Sequence, residues 1–261
     1  MSEVDAPETP FPALFNFRDV GGYRARDGRT VRRRRLYRSD SLHRVDETDR
    51  AAFTALGIRT VIDLRRPTEV ERDGRVPAYD GLVYRHIHPE HEDWATRQYA
   101  SSGVSLARYL ADRYADLART GTAGLAEAVG LIADSANAPV VVHCVAGKDR
   151  TGIVCALTLA VLGVPDDDIV ADYALSTAAS GRFSAWVRAT LPDADEPPPP
   201  FLASPAEAME LFLAELRAGH GSVEGYLTHA GVTEAQLEAL RAHLLAGPAR
   251  PAPPEDGAGR G

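Results

Sequence analysis

Pro139-Val140-Val141-Val142-His143-Cys144-Val145-Ala146-Gly147-Lys148-Asp149-Arg150-Thr151 is the stretch around which the rest of the chain is organised. A β-branched run after a proline predicts a strand buried on both faces, the kind that builds parallel sheets. Helical spacing begins at Thr151 and continues to Leu162, where Gly163 can end it. Strand, loop and helix in that order put the loop at the carboxyl end of a sheet, where open α/β folds bind ligands. Lys148 is the sole lysine among 29 Lys and Arg, and Cys144 is one of two cysteines, so two rare residues share one loop. A compact ammonium and a planar guanidinium are not interchangeable where a small anion must be touched at close range.

Outward from the loop, strand and helix signals alternate. Strands are expected over 30–38, 60–64 and 82–87, and helices over 46–56, 67–72, 105–118, 122–135, from 165 and over 183–190. Beyond the prolines at 197–200, Ser204-Pro205-Ala206-Glu207 and Thr233-Glu234-Ala235-Gln236 read as capping boxes. The alternation predicts an α/β fold with a mainly parallel central sheet flanked by helices, followed by a helical C-terminal third. Residues 13–247 are expected to form a single domain between loose ends at 1–12 and 248–261, with 204–247 as a candidate helical lid.

Hydrophobic residues at 44% and charged residues at 25% are the balance of a soluble globular protein. A net charge of -8 argues against a general nucleic-acid binder. No run approaches the roughly 18 apolar residues of a membrane span. The first residues carry acids and prolines where a signal peptide would have a basic end and an apolar stretch. The cytoplasm is therefore the expected location, with export without a signal peptide left open. Two cysteines cannot build a disulfide framework. Cys155, inside an apolar run, reads as a small core residue, the alternative being a redox partner for Cys144.

The loop can curl the N–H groups of Val145, Ala146, Gly147 and Lys148 around a tetrahedral oxyanion, and the helix after it adds its positive end. Gly147 allows a sharp turn with positive φ, and Arg150 can grip two oxygens of a phosphate. Cys144 would lie at the base of this ring of donors. Comparable settings lower a cysteine pKa to roughly 3.5–7.5, which makes the thiolate an activated nucleophile. A Walker loop is ruled out, because Val142 stands where its first glycine belongs and Asp149 follows the lysine. One His-Cys pair offers too few ligands for zinc. A purely structural turn leaves the Lys-Asp-Arg cluster at a strand exit unexplained.

His143-Cys144, five residues, then Arg150-Thr151 resembles the Cys-x5-Arg signature of cysteine-dependent phosphatases. The fuller string through Gly152 resembles the bacterial atypical branch of the protein tyrosine phosphatases, of the mycobacterial type. Asn16-Phe17-Arg18-Asp19-Val20-Gly21-Gly22, Tyr37-Arg38-Ser39 and Asp63-Leu64-Arg65 resemble that branch's upstream motifs in type and order, so the likeness covers residues 16 to about 163. It implies a cysteine-phosphatase-like fold and a two-step reaction that needs no metal or cofactor. Cys144 would form a phosphocysteine, and Arg150 with the N–H groups from Val145 to Arg150 would hold the equatorial oxygens. Thr151 would offer its hydroxyl to the Cys144 sulfur, and His143 would hold the loop by hydrogen bonds. The Trp-Pro-Asp sequence that supplies the acid in many tyrosine phosphatases is absent, and Trp94 follows Asp93 in the wrong order. The resemblance assigns the general acid to Asp149, with Asp63 and Asp93 as further candidates.

The implied substrates are phosphotyrosine proteins with broad or dual specificity. Lys148 adds a second charge that suits phosphoinositides, so a phosphoinositide phosphatase is an alternative. Two other readings are a catalytically silent phosphate-binding module and a thiol redox sensor. His86-Ile87-His88-Pro89-Glu90-His91 invites a metal, but reads as readily as a strand end at the rim of the site. Arg32 to Arg35 could meet acidic lipid headgroups, although alternation along a strand would divide them between two faces, as on a solvated surface. Asn16 to Gly22 reads as a hydrogen-bonded turn bracing the catalytic loop.

Overall fold

Every residue of Val140–His143 is buried, and this strand lies at the centre of a five-stranded sheet. The computed structural model describes residues 11–92, 103–190 and 202–247. Its sheet strands, numbered along the chain, are β1 (Arg18–Asp19), β3 (Leu36–Ser39), β4 (Thr60–Asp63), β5 (Val83–His86) and β6 (Val140–His143), in the spatial order β1-β3-β6-β4-β5. β3, β6, β4 and β5 are parallel, and β1 pairs antiparallel with β3. Register aligns Ser39, His143, Asp63 and His86 in one row at the carboxyl ends. The segments that leave this row hold most of the candidate site residues.

Alternation along β6 divides the core. Val140 and Val142 join Ile62 and Leu36 on one face, while Val141 joins Val61, Tyr37, Phe17 and Phe53 on the other. The first face is covered by α3 (Leu106–Thr120), α4 (Thr122–Ala133), α5 (Asp149–Val161) and α6 (Asp166–Ala174). α1 (Arg50–Ala55) lies on the second face through Phe53, and α2 (Pro67–Asp73) follows β4. α7 (Ser176–Thr190) is longer than the 183–190 stretch expected. No helix among the described residues is long and apolar enough to cross a membrane.

The C-terminal third forms α8 (Ala206–His220), α9 (Val223–His229) and α10 (Glu234–Leu244). Met209, Phe212, Leu213, Tyr226, Leu227, Leu237 and Leu240 of these helices are buried in the main core cluster. Such burial makes these helices part of the core. The box at Thr233 forms, with Gln236 N donating to Thr233 Oγ1 at 3.2 Å and Thr233 N to Gln236 Oε1 at 2.9 Å. The box at Ser204 does not. Pro205 is the residue before α8 there, and Ser204 N donates to Thr177 Oγ1 at 2.9 Å.

The expected strand over 30–38 is two strands. β2 (Thr30–Val31) pairs antiparallel with β7 (Leu245–Ala246), and the chain then turns through Arg34, at φ 59°, into β3. Asp19 Oδ2 accepts the Arg34 N–H at 2.9 Å, which stabilises the turn. Arg32 to Arg35 therefore lie in an exposed turn and are not divided between the faces of a strand. Asp93, Trp94 and the prolines at 197–200 fall outside the described residues.

Leu240→Ala tests whether α10 is core. With Leu240 fully buried, the substitution is expected to cost about 2–5 kcal/mol in urea unfolding. A midpoint equal to wild type would return these helices to the status of a loose cover.

Candidate active site

The shape of the loop after β6 follows from where its carbonyls go. A trans peptide is planar, so a C=O held to one side directs the next N–H to the other. Every carbonyl from Cys144 to Lys148 has a donor. His143 Nδ1 donates to Cys144 O at 3.2 Å, Ser41 N to Val145 O at 2.9 Å, and Asn16 Nδ2 to Ala146 O at 2.9 Å. Arg38 donates to Gly147 O at 2.7 Å and Gly152 N to Lys148 O at 3.0 Å. No acceptor among the described residues takes the N–H of Val145, Ala146, Gly147, Asp149 or Arg150. With the start of α5 behind it, the loop is a cradle of donors for an oxyanion. Gly147 has φ 65°, and a Cβ there would stand 2.3 Å from Ser39 O, so no other residue fits this close approach.

The ties are themselves anchored. Asp40 accepts the N–H of Phe15 at 3.1 Å and of Asn16 at 3.0 Å, which pins the turn that carries the Asn16 amide. Arg18 donates to Asn16 Oδ1 and so orients that amide with its NH2 toward the loop. One buried carboxylate, Asp172 of α6, holds both Arg18, at 2.8 Å, and Arg38. Burial opposes the charge on Asp172, but the two guanidiniums outweigh it and depress its pKa.

Cys144 is buried and a free thiol, as is Cys155. Burial pushes the Cys155 thiol up to about 11, in keeping with a core residue. Arg150 is held bidentately by Glu69 of α2, at 2.6 Å and 3.1 Å, and donates to Leu64 O at 3.2 Å. Burial works against the charges of this pair, yet Arg150 holds the Glu69 carboxyl down to about 2. Burial opposes the Arg150 charge, but Cys144 and Glu69 outweigh it and raise the Arg150 pKa.

Lys148 is buried, with Nζ 3.6 Å from Asp149 Oδ1. Tyr114 of α3 donates to that same oxygen at 2.5 Å. Thr151 Oγ1 is buried with no hydrogen bond among the described residues, so its expected contact with the Cys144 sulfur is not made. Asp63 accepts from Arg65 at 2.7 Å and 2.9 Å and from Tyr84 OH at 2.8 Å. Burial would raise its pKa, but His143, Arg65 and Tyr84 together hold it down to about 2. His143, whose Nε2 is 3.5 Å from Asp63, is lowered to about 4 by burial and is neutral at physiological pH.

His86 Nε2 donates to Arg65 O at 2.8 Å. The rings of His88 and His91 stand 5.7 Å apart, and both pKa values are lowered, chiefly by burial. Among the described residues no three His, Cys, Asp or Glu side chains come together to hold a metal. Against the loop, a cavity of about 150 Å³ is lined by Phe15, Phe183, Leu202 and Arg44 beside Val145 and Ala146. The Arg44 guanidinium lies 5.7 Å from the Phe15 ring and 5.6 Å from the Phe183 ring.

Motif resemblance singled out Asn16 and Arg38 without their partners. It missed Ser41, Glu69, Asp172, Tyr114 and Tyr173, whose hydroxyl lies 2.6 Å from that of Tyr114. Glu69 had a local signal, being an acid in the first turn of a proline-started helix close to the Asp63-Leu64-Arg65 motif. The two tyrosines fall on apolar helical faces, where a hydroxyl is easily read as core.

A parallel sheet that delivers a buried thiol to a cradle of N–H groups, with a guanidinium beside it, defines a cysteine-dependent phosphatase. The chain belongs to the tyrosine phosphatase family, whose model matches residues 9–246. It is 34% identical over 278 residues to the triple specificity protein phosphatase PtpB of Mycobacterium tuberculosis, covering 90% of this chain and 98% of that one. A protein of Cupriavidus necator named as a tyrosine-protein phosphatase is 30% identical over 253 residues, with 91% and 88% covered. A tyrosine-protein phosphatase of Nostoc commune is 28% identical over 209 residues, with 74% and 68% covered.

Two outcomes are expected. Asp172→Asn leaves two buried guanidiniums short of a counter-charge and costs about 3–5 kcal/mol in urea unfolding, with phosphate affinity falling alongside. Stability also declines with acid in two windows. The buried neutral His143 loses its contribution as pH falls from 6.5 toward about 4. The ionised Glu69 and Asp63 lose theirs from about 4.5 toward about 2, because the unfolded chain binds those protons first. Urea midpoints measured across this range check both, and Glu69→Gln should flatten only the lower window.

Proposed function

We propose that this protein-tyrosine phosphatase hydrolyses phosphotyrosine in proteins through a phosphocysteine on Cys144. The observation that carries the reading is the outward tying of every loop carbonyl from Cys144 to Lys148, which leaves the N–H groups for the phosphoryl oxygens. In the first step the thiolate attacks phosphorus, the S–P bond forms and the P–O bond to the tyrosine breaks. Asp149 gives its proton to the departing phenolic oxygen. In the second step water attacks the phosphocysteine and its proton passes to the Asp149 carboxylate. The S–P bond breaks, inorganic phosphate leaves and the thiolate is restored. Arg150 and the N–H groups of Val145 to Arg150 stabilise the charge that builds on the equatorial oxygens in both steps.

Asp149 is favoured over Asp63 as the proton donor. Asp63 is spent on Arg65 and Tyr84 and held ionised near 2, so at neutral pH it has no proton to give. Its role in this reading is to set Arg65 and face His143. The aromatic cavity against Val145 and Ala146 has the size and walls to take the ring of a phosphotyrosine. Lys148, turned toward Asp149, acts on the acid; a second substrate phosphate would have to draw it away.

The test is release of inorganic phosphate by wild type and Cys144→Ser in the presence of EDTA. The panel holds phosphotyrosine, phosphoserine and phosphothreonine peptides beside mono- and polyphosphorylated inositol lipids. Release by wild type alone, greatest from phosphotyrosine, is the expected result. Preference for the inositol lipids would make this a phosphoinositide phosphatase. Peptide binding without release from any substrate would make it a silent phosphate-binding module.

A further inference from the structure

Asp149 does not stand alone at the start of α5. Its Oδ1 accepts the Tyr114 hydroxyl at 2.5 Å, and the Tyr114 oxygen lies 2.6 Å from the Tyr173 hydroxyl. The carboxylate can only accept, so Tyr114 donates to it and takes its own hydrogen bond from Tyr173. Both tyrosines are buried, and Tyr114 is wholly enclosed. Its ring meets those of Tyr173 and Phe212 edge to face, with centroids 6.0 Å away in each case. Three helices thus aim one hydroxyl: α3 carries it, α6 supplies the donor behind it, and α8 packs the ring. Asp149 Oδ2, by contrast, makes no hydrogen bond to any described residue.

We propose that Tyr114 is a positioning residue for the general acid, holding Asp149 Oδ1 so that Oδ2 carries the proton to the leaving group. This inference rests on the assignment of Asp149 as the acid. A side chain free to rotate about χ1 and χ2 would spend much of its time turned from the substrate. A rigid hydrogen bond on one oxygen removes that freedom, and misplacement of a catalytic group is costly in rate. Burial and the Asp149 charge both keep the Tyr114 proton on its oxygen, so it remains a donor throughout the cycle. Lys148 Nζ lies 3.6 Å from the same Oδ1 and adds to its hold.

The test compares wild type with Tyr114→Phe, Tyr173→Phe, Asp149→Asn and the double variant Tyr114→Phe/Asp149→Asn on two substrates. A phosphotyrosine peptide needs a proton on its leaving oxygen. Nitrophenyl phosphate, whose leaving group is stable as an anion, does not. Tyr114→Phe is expected to lower kcat/KM on the peptide about tenfold, a fraction of the roughly 10²–10⁴ that a general acid contributes, and to leave kcat/KM on nitrophenyl phosphate, which reports only the first step, unchanged. Tyr173→Phe should do the same to a smaller degree while keeping the contact to Asp149. In the Asp149→Asn background, removing the Tyr114 hydroxyl should change nothing further. Equal losses on both substrates, no loss on the peptide, or a loss that persists without Asp149 would overturn the proposal. Loss on the peptide in Asp149→Asn but not in Tyr114→Phe would overturn it while leaving the acid assignment standing. Absence of a leaving-group effect in Asp149→Asn itself would overturn both.

Discussion

The planarity of five successive peptides, each with its carbonyl drawn to the outside, is the constraint on which this site depends. Nothing in a short loop of Val, Ala and Gly would by itself turn its N–H groups to one point. The donors do it, and they come from four places: His143 at the end of β6, the turn at Asn16, the strand end from Arg38 to Ser41, and the first turn of α5. Because each carbonyl is satisfied, the chain gains little by rotating a peptide back. The cradle is thus built before any substrate arrives, which is the condition for electrostatic stabilisation without reorganisation.

Holding those donors requires buried charge, and the fold handles it by pairing. Asp172 neutralises Arg18 and Arg38, Asp63 neutralises Arg65, and Glu69 neutralises Arg150. Each pair takes two groups out of water, so none is a simple gain in stability. What they add is direction. Glu69 meets Arg150 in a fork-to-fork contact that fixes the guanidinium plane, and Asp172 bridges two arginines that reach the loop by different routes.

Much of this was legible in the sequence, and the limits have physical causes. The β-branched run at Val140 to Val142 announced its strand because burial on both faces leaves one kind of residue. The loop was legible because thiol, glycine and guanidinium have few other reasons to occur at such spacing. The burial of 204–247 in the core was not legible, since an amphipathic helix reads the same whether its apolar face covers a site or closes a core. β2 was merged with β3 because its partner, β7, lies at the far end of the chain, beyond any local pattern. Asp172 and Tyr114 were invisible for the same reason. Their significance lies in a contact across the fold, and an aspartate or tyrosine on a helix carries no mark of it.

The span of those contacts has a consequence for how the molecule comes into being. Asn16 reaches Ala146 across 130 residues, Arg38 reaches Gly147 across 109, and Arg18 reaches Asp172 across 154. Arg32, beside β2, reaches Leu245 of β7 across 213 residues. The anchors of the loop thus lie on both sides of it along the chain, Asn16 and Arg38 before it and Asp172 after it. Contacts of such sequence separation form late and slowly. A copy in which Asn16, Arg38 and Asp172 have not met around the loop therefore holds Cys144 without its cradle of N–H groups.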